Sequence, residues 1–157
     1  MKTITAERYH DISCGHRVHG HESKCRHLHG HNYRVHFVCR AKVGNTSLDD
    51  LGRVIDFGEI KSRLCMWIED NWDHKFLAWE KDPVIREHYD VLGSGPQGEP
   101  AGLFGESIVF TPFNPTAENM ARHLVEVIGP QQLAGTGVTL VSVRIEETAK
   151  CSASFHI

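Results

Sequence analysis

The sequence predicts an α+β fold: an antiparallel four-stranded sheet in the order β-β-α-α-β-β, with its helices on one face. Three observations predict it. Two period-2 stretches, 3–15 and 32–42, are joined by a polar loop and read as a hairpin. Two runs with helical spacing follow, opening at Asp56 and Thr116, and two further extended stretches, 137–147 and 151–157, close the chain. At 157 residues the chain reads as one domain, 1–157, long enough to bury roughly 68 to 70% of the surface its unfolded form exposes.

In the first strand Ile12, Cys14 and His16 share a face. Residues 19–24 are polar and form the connection. In the second strand Tyr33, Val35, Phe37, Cys39 and Ala41 lie on one side, and His27, His29 and His31 continue that parity backwards. Residues 43–51 read as a polar turn. Asp56 then caps a helix, with Glu59 three residues on and Phe57, Ile60, Leu64, Trp67 and Ile68 at helical spacing to about Trp72. A short helix is expected over 83–91.

Residues 93–105 hold five glycines and two prolines, including a literal G-x-G-x-x-G at Gly93, Gly95 and Gly98. A dinucleotide fingerprint needs a strand before it and a helix after it; here a helical pattern precedes and Pro96 and Pro100 interrupt, so a flexible surface insertion is expected instead. Pro112 confines the apolar run 107–113 to an edge. Thr116 caps a helix with the stripe Ala117, Met120, Ala121, Leu124, Val125 and Ile128, stopped by Gly129 and Pro130. In the next strand Val141, Val143, Ile145 and Glu147 share a face.

Composition narrows the function. The 17 Lys and Arg against 20 Asp and Glu give a net charge of -3, which argues against a general nucleic-acid binder. No apolar run approaches membrane-spanning length and no leader is visible, so a soluble, cytoplasmic protein is expected. Five unevenly spaced cysteines disfavour a disulfide framework. Eight of the twelve histidines fall between His10 and His36, and metal or proton chemistry belongs there.

His29 and His31, separated only by Gly30, can converge on one ion without crowding the backbone, and His16 arrives at the same end of the hairpin. Three nitrogen ligands with an open position are the pattern of a catalytic zinc. His27 has the parity of a further ligand, His19 and His21 lie in the loop, and Cys14 reads as a small core residue. Two readings of Cys25 stand side by side: a thiolate base or nucleophile favoured by Lys24, Arg26 and a nearby cation, or a fourth ligand closing a structural site. Asp73 and His74 are either a proton relay or a polar helix end. Glu147 is either a buried acid accepting two parallel N–H bonds from a heterocycle or a solvated strand end.

Together these residues resemble the family of 6-pyruvoyltetrahydropterin and 6-carboxytetrahydropterin synthases, which has the tunnelling fold. The resemblance runs nearly end to end: His16-Arg17, Cys25 with His29-Gly30-His31-Asn32-Tyr33, Val54-Ile55-Asp56-Phe57, Asp73-His74-Lys75, Asn114-Pro115-Thr116-Ala117-Glu118-Asn119 and Glu146-Glu147-Thr148. It implies zinc on His16, His29 and His31, Cys25 as proton acceptor, Asp73 and His74 as relay, and Glu147 as pterin anchor. It also implies homo-oligomers: trimers closing a β-barrel, stacked as hexamers, with active sites between subunits.

Only Arg26, His27 and Leu28 separate Cys25 from the His-Gly-His, as in the 6-carboxy branch, where the 6-pyruvoyl branch is expected to have five residues. The resemblance therefore implies a zinc lyase of queuosine (7-deazapurine) biosynthesis. Its reaction converts 7,8-dihydroneopterin triphosphate to 6-carboxy-5,6,7,8-tetrahydropterin, with release of acetaldehyde and triphosphate. The alternatives are a 6-pyruvoyl-type elimination or related side-chain cleavage and, from another class, a non-catalytic zinc-stabilised binding module. Two departures from the family pattern stand out: Cys14-Gly15 where Ala-Ala is expected, and an insertion at about 77–105. Arg17, Lys24, Arg26 and Lys75 are candidates for contact with the triphosphate.

Overall fold

The hairpin at the start of the chain is the frame on which the rest is built. In the computed structural model, which describes residues 3–41 and 48–157, β1 (Ala6–His16) pairs antiparallel with β2 (His29–Ala41) from Ala6 opposite Cys39 to His16 opposite His29. Lys42 and most of the polar turn expected at 43–51 lie outside the described residues. β5 (Val138–Thr148) pairs antiparallel with the other edge of β2, and β6 (Cys151–His156) with β5.

The sheet has six strands, not the four expected. Its order is β4-β3-β1-β2-β5-β6, where β3 (Phe76–Trp79) runs parallel to β1 and β4 (Ile108–Thr111) parallel to β3. β4 falls within the run 107–113 expected at an edge and does end the sheet, but both added strands have only four residues, too few for an alternating pattern to announce a place in the sheet. Parallel neighbours need a crossover of a dozen or more residues. The segment expected as a surface insertion is that crossover: α3 (Pro83–His88), wider turns over Tyr89–Gly93, and α4 (Gly102–Ser107). The glycine motif within it follows helical turns rather than a strand, and its loop is closed by a bridge between Ser94 and Pro100.

One face of the sheet carries the core. Ile12, Cys14, Tyr33, Val35, Phe37, Cys39, Val143 and Ile145 are buried, while Glu7, Tyr9, Asp11, Asn32 and Arg34 on the opposite face are exposed. Against the buried face lie Ile60, Leu64, Cys65 and Ile68 from α1 (Phe57–Ile60), the wide turns over Lys61–Cys65 and α2 (Met66–Asn71). Asp56 caps α1 through Gly58 N at 2.7 Å.

The second helical layer opens at the Thr116 cap and runs through α5 (Ala117–His123) and Leu124–Ile128. It does not stop at Gly129 and Pro130 but continues as α6 (Gly129–Gln132). A Cβ at residue 129 would fall 2.8 Å from the Leu140 Cβ, so this glycine allows helix and strand to approach closely rather than ending the helix. Proline is tolerated there because it occupies the first turn of α6. Among the described residues no helix is long and apolar enough to cross a membrane.

Candidate metal and catalytic site

Strand register alone brings the three histidines together. His16 ends β1 directly opposite His29, the first residue of β2, and Cys14 lies opposite His31. All three rings project to the core face, with centroids 4.5 to 5.1 Å apart. Gly30 makes the approach possible: a Cβ there would sit 2.9 Å from the Cys14 carbonyl oxygen.

Their tautomers are set by backbone carbonyls, which can only accept. His16 Nδ1 donates to Pro115 O at 2.7 Å and His29 Nδ1 to His27 O at 2.8 Å. Both Nε2 atoms therefore present lone pairs to each other across 3.0 Å, a pairing in which neither can donate. His31 Nε2 is buried without an aligned hydrogen-bond partner, 2.9 Å from a Glu147 carboxylate oxygen. Donor atoms of His16, His29, His31 and Glu147 all lie within 4.8 Å of one another. Lone pairs converging in a partly buried space call for a cation. Three imidazoles and a carboxylate can hold a metal ion, and the set is compatible with zinc.

Electrostatics favour the neutral form of His16 and His31. Burial pushes His16 down to about 4, against the pull of the Pro115 carbonyl and reinforced by His29 and His31. His31 is lowered by burial and by His29, with Glu147 opposing. Neutral imidazole is the form that binds a metal.

Glu147 was legible only as an acid at the end of an apolar stripe; it stands beside His31, next to a register shift between Glu146 and Thr148 in the β5–β6 pairing. The sequence signal was its shared parity with Ile145. Cys25 lies on a single 3-10 turn (Lys24–Arg26) before β2, half-buried and outside the four-donor group. The Glu147 carboxylate, rather than the thiol, thus stands beside the imidazoles. His27 contributes its carbonyl instead of its ring. His19 and His21 bond within the loop, to Arg17 and Ser23. Cys14 is a core thiol, as read, with burial pushing it up to about 12.

Asp73 and His74 do pair, with His74 Nδ1 2.7 Å from Asp73 Oδ2. The pair is clamped to β1: Ser13 N donates to Asp73 Oδ1 at 2.8 Å, and His74 N donates to Ser13 O at 2.7 Å. Burial raises Asp73, but the Ser13 N–H and His74 outweigh it and hold the carboxyl below its ordinary value. His74 adopts φ 57°, a conformation that a non-glycine residue holds only under local compulsion. Its side chain is 83% exposed and is not one of the four donors, though it lines the same groove as His31. Two open grooves of about 510 and 630 Å³ meet at Ser13, Asn32 and His74.

The comparisons bear on family and fold. A family model described as 6-pyruvoyl tetrahydropterin synthase matches residues 4–156. A Rickettsia felis protein named 6-carboxy-5,6,7,8-tetrahydropterin synthase is 35% identical over 148 residues, covering 94% of this chain and 96% of its own length. The protein of the same name from Rickettsia typhi is 36% identical with the same coverage. Among solved structures, 6-pyruvoyl tetrahydropterin synthase from Caenorhabditis elegans superposes with a TM-score of 0.62 at 23% identity, covering 100% of this chain and 97% of that one.

Proposed function

This chain belongs to the 6-pyruvoyl tetrahydropterin synthase family, and on that footing we propose that it is the zinc-dependent lyase of the 6-carboxy branch. Its reaction converts 7,8-dihydroneopterin triphosphate to 6-carboxy-5,6,7,8-tetrahydropterin, releasing acetaldehyde and triphosphate, as a step toward queuosine. The observation that carries the reading is the tautomer lock on His16 and His29, which leaves their Nε2 lone pairs aimed at one point beside His31. The three-residue spacing between Cys25 and His29, and relatives that bear the 6-carboxy name, support the branch.

Zinc held by His16, His29 and His31 supplies Lewis acidity toward the oxygens of the substrate side chain. Cys25 accepts a proton from carbon, and His74, oriented by Asp73, exchanges protons with the intermediate or solvent. Glu147 accepts paired N–H groups of the pterin, converting binding into alignment. The site is completed across subunits, in trimers that close a barrel and stack as hexamers, a reading supported by the exposure of His74. Joining β4 and β6, the two outer strands of the sheet, to neighbours also removes unpaired edges. The protein works in the cytoplasm.

Incubating zinc-loaded protein with dihydroneopterin triphosphate and identifying the products tests the reading. Triphosphate with a 6-pyruvoyl product and no acetaldehyde would favour the second reading, for which the matched family description speaks. Metal-edge spectroscopy tests the non-catalytic module: a Zn–S bond in the resting protein would make Cys25 a ligand instead of a base.

A further inference from the structure

The crossover between β3 and β4 reaches back to the loop that carries Cys25. Asp82, the N-cap of α3, is fully buried, yet its partner comes from 65 positions away: Arg17 Nε donates to Oδ2 at 2.6 Å and Nη2 to Oδ1 at 3.2 Å. The same carboxylate accepts from Val84 N at 3.0 Å, and the Asp82 backbone N donates to Trp79 O at 2.9 Å. The acid is therefore fixed from both sides of its own turn.

Arg17 spends the rest of its guanidinium on the catalytic loop. Nη1 donates to Arg26 O at 2.7 Å and Nη2 to His19 Nδ1 at 3.1 Å. One residue on, Val18 N donates to Cys25 O at 2.9 Å. The carbonyls of Cys25 and of the residue after it are thus held by Val18 and Arg17, which directly follow the metal-facing His16. With Nε, Nη1 and Nη2 all engaged and the side chain 14% exposed, Arg17 is not a free anchor for triphosphate. Its role is internal.

We propose that Asp82 is a positioning residue for Cys25, acting through Arg17 to fix the Lys24–Arg26 turn relative to His16; this rests on the reading of Cys25 as the proton acceptor. A bidentate, buried carboxylate–guanidinium pair holds both distance and orientation, which a surface ion pair does not. The crossover is then a brace for the catalytic loop.

Two variants test this in the zinc-loaded full chain. Asp82→Asn can still cap α3 but loses the charge that holds Arg17; Arg17→Lys keeps the charge but cannot reach both Asp82 and the Arg26 carbonyl. Each is expected to retain zinc and to lower kcat by about ten- to a hundredfold with little change in KM, as misplacement of a reacting group does. Each also changes the iodoacetamide alkylation rate of Cys25 at fixed pH by about tenfold, read by mass spectrometry, while exposed Cys151 keeps its rate. If either variant folds and loads zinc yet leaves the Cys25 rate and kcat as in the parent, the proposal is overturned. The alkylation readout needs no substrate, so it stands even if the pterin reaction fails; a Cys25→Ala protein with full turnover would instead remove the underlying role of the thiol.

Discussion

His36 sits on the same strand as His29 and His31, and the comparison shows what leaves an imidazole nitrogen available to a metal. On the polar face, His36 Nδ1 lies 3.0 Å from Glu7 Oε1 and Nε2 lies 2.8 Å from Glu146 Oε2, with Arg144 Nη2 3.0 Å from that same Nε2. Each of its nitrogens is claimed by a protein group. On the core face His16 and His29 have one nitrogen committed to a carbonyl and the other aimed at a neighbouring imidazole. Strand parity sends one residue type to two environments, and the partner of the second nitrogen decides between structure and chemistry.

The most severe way to break this contrast is to remove a core-face ring. His29→Ala or His31→Ala should weaken metal affinity by more than about a hundredfold in chelator competition, whereas His36→Gln should still bind one zinc per chain. Equal loss in both would erase the distinction between the faces. Next in size, if Cys25 is the proposed proton acceptor and not a ligand, Cys25→Ala should lower turnover by about 10² to 10⁴ with zinc content unchanged.

A pH titration sharpens the comparison further. In the metal-free protein His16 binds its proton at about 4, against 6.5 for the ordinary imidazole. Between those values the unfolded chain carries the extra proton, so stability is intact above 6.5 and falls as the pH drops toward 4. The full loss is about 3 kcal/mol, measurable by denaturant unfolding in chelator, and zinc should suppress it near neutrality. A flat profile over that window would mean His16 is not held neutral by burial.

The smallest effect belongs to the polar face. The hydrogen bond from His36, followed by Arg144, holds Glu146 below its ordinary 4.5. That contribution is present above 4.5 and disappears as the carboxylate protonates at lower pH. Glu146→Gln should therefore flatten the acid limb of the stability curve while metal affinity stays at the parental value.

How much of this was legible depended on how local the signal was. The hairpin, both helix caps and the His-Gly-His parity were readable because alternation and capping act within a few residues. Four-residue β3 was not, and the run 107–113 was readable only as an edge segment without a partner, because parallel pairing is decided by neighbours brought in through a crossover. Gly129 imitated a stop signal, and only its contact with Leu140 reveals a packing role. Glu147 beside His31 and Asp82 beneath Arg17 join positions 116 and 65 apart, beyond the reach of any window on the sequence.

The bond from His16 to the Pro115 carbonyl has a consequence for biogenesis. A nascent chain with only its first hundred residues outside the ribosome holds all three imidazoles but lacks the carbonyl that fixes which nitrogen of His16 is bare; the Tyr33 hydroxyl, 3.3 Å from Nδ1, can donate as well as accept and so selects neither. Capture of an ion by the proposed site would therefore await synthesis of the Asn114–Asn119 segment, which would make metallation a late event that reports completion of the fold.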